Sequence, residues 1–552
     1  MNPLNASPYR SEASRTGLLM LVALVYVANL LDRQLVSMLA TDIKGSLHIS
    51  DANIGFLLGT SFAVFYAIFG IPLGKAADLL SRTRIVASGV AAWSLLTSLS
   101  GFARSFTFLA ACRMGVGVGE ASASPAIYSM IFDVFPPHRR TTAIAVYSSG
   151  IYIGSGLGLA LGGVILAAWK HAFPDPALAP LGLKAWQAAF LIVGAPGLVL
   201  ALIVGLLPEP ARAGASESRL PPVAKALRIV GLEILTMLPV TGLLILAKRR
   251  GWRAGACNLA AAAGITAVVA GLAALTSQFL QWLVLGYGWY AFLTWAQTLR
   301  GADPAAAAVL RHKPLVLGFL GYGCCCFLTV GPMAWLASYF QRSLGVPAAE
   351  VGPVLGVSYA AAGLLGTVLG GLITDRFVKR FGDRARLLVS VVAIVLATAF
   401  LAACLLSSNR WLAYGLTAAF NFFCAMWLAP AAANVNSLVP APMRATASAV
   451  YIVTQIFLGS ALAPFAIGAL SDALTVMGLS AALALRGAML ISLVMVLPAA
   501  GCLLAAWRAS SRPTEPMTGR FARPDASDLD ERAHSAGQSS SPPEPTPAWR
   551  PR

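Results

Sequence analysis

Apolar residues fill long uninterrupted stretches of this chain near 17–40, 53–73, 84–103, 105–132, 141–168 and 186–206, and again near 314–340, 350–374, 386–407, 411–438, 447–470 and 484–507. Polar and charged residues collect between the stretches rather than alternating within them. A hydrocarbon core of about 30 Å takes about 20 residues of helix, so each stretch predicts one membrane-crossing helix. Six spans, a gap of about a hundred residues and six more follow one another. The gap, 207–313, is itself mostly apolar. Segments 257–276 and 278–298 predict an added hairpin, and 229–247, short and carrying Glu233 and Pro239, predicts an interfacial or re-entrant piece. The count is fourteen spans, with twelve as the floor.

The sequence repeats itself. Residues 136–147 (PPHRRTTAIAVY) and 440–451 (PAPMRATASAVY) are identical at seven of twelve positions, where average composition gives about one. Gly74-x3-Asp78 recurs as Gly371-x3-Asp375. Two related six-helix halves are the architecture of transporters that bind cargo in a midplane cavity between them. The expected organisation is an N-terminal segment 1–16, a first half 17–206, an insert 207–313, a second half 314–507 and a disordered tail 508–552, with both ends cytoplasmic.

Composition agrees and removes alternatives. Of 552 residues 58% are hydrophobic and 11% charged, with a mean hydropathy of +0.74, against roughly 25% charged in soluble domains. The formal charge of +18 comes from short clusters between apolar stretches, not from the continuous basic face that nucleic acid needs. Eleven of these cations (Lys75, Arg82, Arg84, Arg139, Arg140, Arg376, Lys379, Arg380, Arg384, Arg386 and Arg444) fall in loops on one side, and fewer lie opposite, which places that side in the cytoplasm. The run 17–40 is too long for a signal-peptide core and lacks a small-residue cleavage pattern, so it is expected to remain as the first span. The eight cysteines show neither a CxxC pair nor a histidine at metal spacing, and no cofactor or metal is expected.

Ionisable groups deep in a span cost about 2.5–3.5 kcal/mol on insertion scales and mark ion or substrate paths. Asp32 and Glu120 are the acidic residues furthest from any span end, and Arg113 lies seven residues before Glu120, two helical turns along one face. Gly117 between them leaves space for a substrate or a neighbouring helix. These three residues are the expected proton-coupling group, and structural ion pairing alone is the competing reading. Arg113 is also the expected anion contact. Tyr66, Tyr147, Trp335, Asn421 and Gln455 are candidate cavity residues, equally compatible with interhelical packing. Asp78, Arg82 and Arg84 after span 2, with Asp375, Arg376 and Arg380 after span 8, suit a cytoplasmic salt-bridge gate or topology alone, and their recurrence favours the gate. The glycines at 115, 117, 119, 150, 154, 156, 158, 162 and 163 do not fit a phosphate-binding loop and suit close helix packing.

The loop GKAADLLSRTR (74–84) and its repeat GLITDRFVKRFGDR (371–384) resemble the signature loop of the major facilitator superfamily, departing from it at Leu79 and Ser81. A narrower resemblance, to the spinster-like branch, runs through Asn29-Leu-Leu-Asp32-Arg33, Arg113-Met-Gly-Val-Gly-Val-Gly-Glu120-Ala121, FPPHRR (135–140), GSGLGLALGG (154–163), Trp335, Phe340-x-Arg342, Gly345 and Glu350-x-Gly352. It implies an all-α integral membrane protein with the major facilitator fold, in the inner membrane if the source is bacterial. It also implies a monomeric, proton-coupled carrier working by alternating access among membrane lipids on a lysolipid-like amphiphile. Small organic anions are the alternative cargo. An intramembrane enzyme or a receptor on the same fold is the rival from another class, and no catalytic residue can be named.

Overall fold

The computed structural model describes residues 9, 11–212, 222–299, 309, 311–440 and 443–510; the expected tail lies, beyond Ser510, outside them. The first half comprises α1 (Glu12–Leu47), α2 (Asp51–Leu58), α3 (Thr60–Leu79), α4 (Arg82–Ser100), α5 (Phe106–Glu120), α6 (Ala123–Val134), α7 (Pro137–Ala172) and α8 (Ala185–Gly205). The insert holds α9 (Val223–Met237), α10 (Pro239–Arg250), α11 (Trp252–Thr276) and α12 (Phe279–Leu299). The second half holds α13 (Lys313–Ser343), α14 (Ala348–Phe381), α15 (Ala385–Leu406), α16 (Arg410–Met426), α17 (Leu428–Ser437), α18 (Arg444–Thr454), α19 (Leu462–Val476), α20 (Ala481–Ser492) and α21 (Val496–Ala509). A π-helical segment, Gln455–Ala461, joins α18 to α19.

Helix ends follow local chemistry. The Ser50 hydroxyl accepts from the Asn53 N–H at 3.1 Å to start α2, and that of Ser81 accepts from the Arg84 N–H to start α4. Pro137, at the first position of α7, has no N–H to leave unsatisfied there. Among the described residues eleven helices are long and apolar enough to cross a membrane, or twelve if α9 and α10 form one span. The count of fourteen also included α4, α5–α6 and α12. The first two carry buried serines, threonines and charges and the last is rich in Trp, Tyr and Gln, which lowers their hydropathy. They nevertheless pack into the same bundle, α4 on α8, α5 on α3 and α12 on α11.

Within each half the repeat is visible in equivalent contacts: Tyr147 of α7 stacks on Tyr26 of α1 at 4.4 Å, and Tyr451 of α18 meets Tyr322 of α13 edge-on at 5.8 Å. The halves meet along α7 and α14, α2 and α19, and α1 and α13. Glycines permit this approach: a Cβ on Gly156 would lie 2.5 Å from the Gly356 carbonyl oxygen, and one on Gly158 2.6 Å from that of Leu31. The glycine run thus packs helices, on two sides of α7.

The insert is a folded unit. α9 and α10 bend by 105° at Pro239, and a buried polar knot ties them to the hairpin. The Tyr290 hydroxyl lies 3.0 Å from the Pro239 carbonyl oxygen and 2.7 Å from Asn258 Oδ1, while Asn258 Nδ2 donates to Thr294 Oγ1 at 3.0 Å and to Gln297 Oε1 at 2.8 Å. Such bonds satisfy groups that hydrocarbon would leave without partners.

Candidate functional site

Two helix interruptions meet between the halves, the break at Gly59 and the π-helical segment: a Cβ on Gly59 would lie 2.7 Å from the Ser460 carbonyl oxygen. Irregular backbone inside a membrane is tolerated where it is covered by protein or lines a cavity, and here a cavity of about 220 Å³ lies beside it. Arg33, Tyr66 and Arg113 from the first half face Met333, Tyr359 and Ser460 from the second. Leu30, Val330 and Ile456 give the same cavity an apolar wall.

Glu120 is fully buried, and Arg33 Nε donates to its Oε2 at 2.7 Å while remaining 28% exposed itself. The Arg33 guanidinium also lies over the rings of Phe62 and Tyr66, at 4.2 and 4.8 Å. Arg113 is 2% exposed and approaches the Phe62 ring at 5.6 Å, and its Nε and Nη1 have no protein hydrogen-bond partner. Asp32, 4% exposed, accepts a hydrogen bond from the Thr97 hydroxyl at 3.2 Å. Sequence spacing set Arg113 beside Glu120 on one face of α5. The structure gives the carboxylate to Arg33 of another helix and leaves Arg113 turned to the cavity. Gly117 admits a neighbouring helix: a Cβ there would sit 2.5 Å from the Phe62 carbonyl oxygen.

Of the other candidates, Tyr66 lines the cavity. Tyr147 is buried between Tyr26 and Tyr128. Trp335 is buried with its Nε1 donating to the Pro464 carbonyl at 2.9 Å, inside the second half. Asn421 reaches Ser358 at 3.5 Å, and Gln455 opens the π-helical segment next to Ile456. None of these four is among the residues lining the cavity.

The candidate gate residues are split. Arg82, 1% exposed, bonds Asp133, Glu209 at 2.8 Å, the Ser129 hydroxyl at 3.0 Å and the Pro210 carbonyl at 2.8 Å, all in the first half or just after it. Arg212 donates to the carbonyls of Ala77, Asp78 and Leu80 and so closes the end of α3. Asp78, Arg84, Asp375, Arg376 and Arg380 are exposed and join no ion pair among the described residues. At the end of the bundle that carries α1's start and α21's finish the halves are thus parted in their polar contacts: among the described residues no ion pair or side-chain hydrogen bond joins them there.

At the opposite end the halves are fastened. Asp51 Oδ1 receives Lys44 at 2.7 Å and, from the second half, Arg342 at 2.8 Å, while its Oδ2 accepts from the Ser471 hydroxyl at 2.8 Å. Asp472 in turn accepts from the Asp51 and Ala52 N–H groups at 2.9 and 2.7 Å, capping α2 from across the interface. Sequence reasoning missed this fastening and Arg33 as a partner. Arg33 and Arg342 stand in the family-like motifs, but their partners are distant in sequence.

A profile of the Major Facilitator Superfamily matches residues 22–464. The chain belongs to that superfamily. Among the proteins the transporter is similar to are an MFS-type efflux pump of Mycolicibacterium smegmatis, 29% identical over 89% of this chain and 91% of that one, and Protein spinster of Drosophila melanogaster, 25% identical over 82% and 61%. A crystal structure of a bacterial homolog of the human lysosomal transporter Spinster, inward-facing and occupied, aligns with a TM-score of 0.68 at 23% identity, covering 92% of this chain and all of that one. The chain is a multi-pass membrane transporter of that superfamily and not an enzyme, and it is similar over most of its length to spinster proteins.

Proposed function

We propose that this transporter exchanges or co-transports protons with an amphipathic molecule bearing an anionic head group, of lysolipid type. The observation that carries the reading is the shared position of Arg33, which holds Glu120 on one side and borders the cavity on the other, next to an Arg113 with two unbonded nitrogens. A phosphate or carboxylate entering the cavity meets two guanidiniums, whose planar forks suit it. As the head group draws on Arg33 and Arg113 together, Glu120 loses its ion-pair partner, and breaking one side of a buried pair costs about 3–5 kcal/mol. A proton relieves it. Proton uptake is thereby tied to cargo binding, and Asp32, held by one hydroxyl, is a second acceptor. The apolar wall of Leu30, Val330 and Ile456 accommodates the start of an acyl chain. Support comes from this mixed lining and from the spinster relatives; the mycobacterial relative, an efflux pump, adds efflux as the direction.

The test is proton flux driven by a lysophospholipid gradient in proteoliposomes, with a small carboxylate in parallel. Glu120→Gln and Asp32→Asn are expected to abolish coupled flux while the protein remains folded. Wild-type pH dependence in both ends the coupling reading, and flux driven only by the small carboxylate replaces the lysolipid. Arg113→Lys should weaken anion binding about tenfold, because it loses a charge-assisted fork worth about 1.5–3 kcal/mol, and Arg113→Ala should nearly abolish it. The Arg113→Ala/Glu120→Gln pair separates lost binding from disturbance of Glu120.

A further inference from the structure

The insert does more than link the halves. α12 lies across the groove between α3 of the first half and the π-helical segment and α19 of the second. At Gly288 it touches both at once: a Cβ there would sit 2.8 Å from Val64 Cγ1 and 2.9 Å from Phe457 Cζ. One residue earlier Tyr287 meets Phe65 at 6.3 Å, and Trp282 meets Phe465 edge-on at 5.5 Å. Leu285 and Ala291 are fully buried in this contact layer. The two sides of the contact differ in kind. Toward the first half the insert is anchored, with α9 and α12 packed on α3 and a salt bridge from Lys75 to Glu233 at 2.8 Å. Its ring contacts with the second half are apolar, and a glycine stands at the crossing. Apolar surfaces without directional bonds slide over one another at little cost, whereas the Lys75–Glu233 pair adds a directional bond on the first-half side.

We propose that the insert is a lateral seal that rides on the first half and slides over the second, closing the seam between α3 and the π-helical segment to lipid throughout the cycle. Membrane lipid and any amphiphilic cargo then have the remaining seam, between α7 and α14, as their side opening. There the helices touch from Gly163 and Gly352 to Tyr152 and Thr367, and Leu372, Phe377 and Phe381 beyond are exposed. The inference rests on the transporter fold and not on the identity of the cargo.

Disulfide cross-linking in the full chain tests it. The Phe65→Cys/Tyr287→Cys pair joins α12 to the half it rides on, and after oxidation, verified by mass spectrometry, transport should stay within about twofold of the reduced protein. The Trp282→Cys/Phe465→Cys pair joins α12 to the half it slides over, and should reduce transport more than tenfold, reversibly on reduction. Full transport with the second cross-link, or its loss with the first, overturns the proposal. Sealing is read separately on the wild-type chain with a phospholipid carrying a photoreactive acyl chain. Label is expected on the outer faces of α11 and α12 and along the outer parts of α7 and α14. Label on Val64, Phe65 or Phe457 would show that lipid enters the seam.

Discussion

The two ends of the bundle solve the same problem in opposite ways. At the end bearing Asp51, an ion pair and two backbone N–H bonds to a carboxylate run from one half to the other, and they are buried. At the end bearing Arg82 the charges are just as dense, yet the ion pairs among the described residues that involve Arg82 stay in or near the first half, and the second half's Asp375, Arg376 and Arg380 are exposed and join no ion pair among the described residues. The first arrangement binds the halves together; the second stiffens one half as a body without tying it to the other. Alternation between them requires the Asp51 cluster to be strong enough to hold and localised enough to release in one step.

Asp51 is the residue on which this contrast depends. Asp51→Ala removes the acceptor of Lys44, Arg342 and Ser471 together and leaves two cations facing each other. Breaking one side of a buried pair costs about 3–5 kcal/mol, so the population open at the Asp51 end should rise by more than about a hundredfold. Spin-label distances between the halves at that end report it. Distances matching wild type would mean that the close packing of Gly55 and Gly468, not the charges, holds the halves.

A smaller effect separates a cap from a surface latch. Asp472→Ala deletes the cap on α2, worth about 1 kcal/mol, and should shift the same distances about fivefold in population. Asp375→Asn, at the parted end, removes an exposed charge whose pairs in the closed form are worth about 0.2–1 kcal/mol. It should favour the parted form by less, read as cysteine accessibility of the cavity from that side. If Asp375→Asn exceeded Asp472→Ala, the signature loop would be the stronger fastening.

What sequence reveals here follows from the range of the interactions. The all-helical, many-spanned fold and the internal repeat were legible because apolar run length and local identity are properties of neighbouring residues. Asp32, Arg113 and Glu120 stood out because a charge at bilayer depth needs a reason. Their pairing was not legible: Arg33 and Glu120 sit 87 residues apart, and the i, i+7 spacing in α5 pointed to Arg113 instead. The fastening at Asp51 joins residues about 290 and 420 apart, with Asp51 lying in the first turn of a helix, where an acidic residue is unremarkable. The π-helical segment has no local signature in Gln455–Ala461.

The smallest expected effect probes the stiffened first half. Burial works against ionisation of Glu209, but hydrogen bonds from Arg82, the Thr83 N–H and the Ser81 hydroxyl outweigh it and hold this carboxyl below the ordinary glutamate value. A depressed folded-state value means the carboxylate binds protons less readily in the folded protein than in the unfolded one. Its stabilisation is therefore complete above the unfolded value of about 4.3 and fades as pH falls through the lower folded one. Glu209→Gln removes the charge but keeps an acceptor, and Arg82 retains Asp133, so no buried cation is abandoned. The variant should accordingly melt slightly below wild type at pH 7, and the two curves should converge below about pH 4. Because Glu209 leads directly into Pro210 and Arg212, which clasp Arg82 and the end of α3, the same variant should also loosen the 74–84 loop, measurable as faster hydrogen exchange there at pH 7. A constant gap in melting temperature at every pH would show that Glu209 contributes shape and not charge.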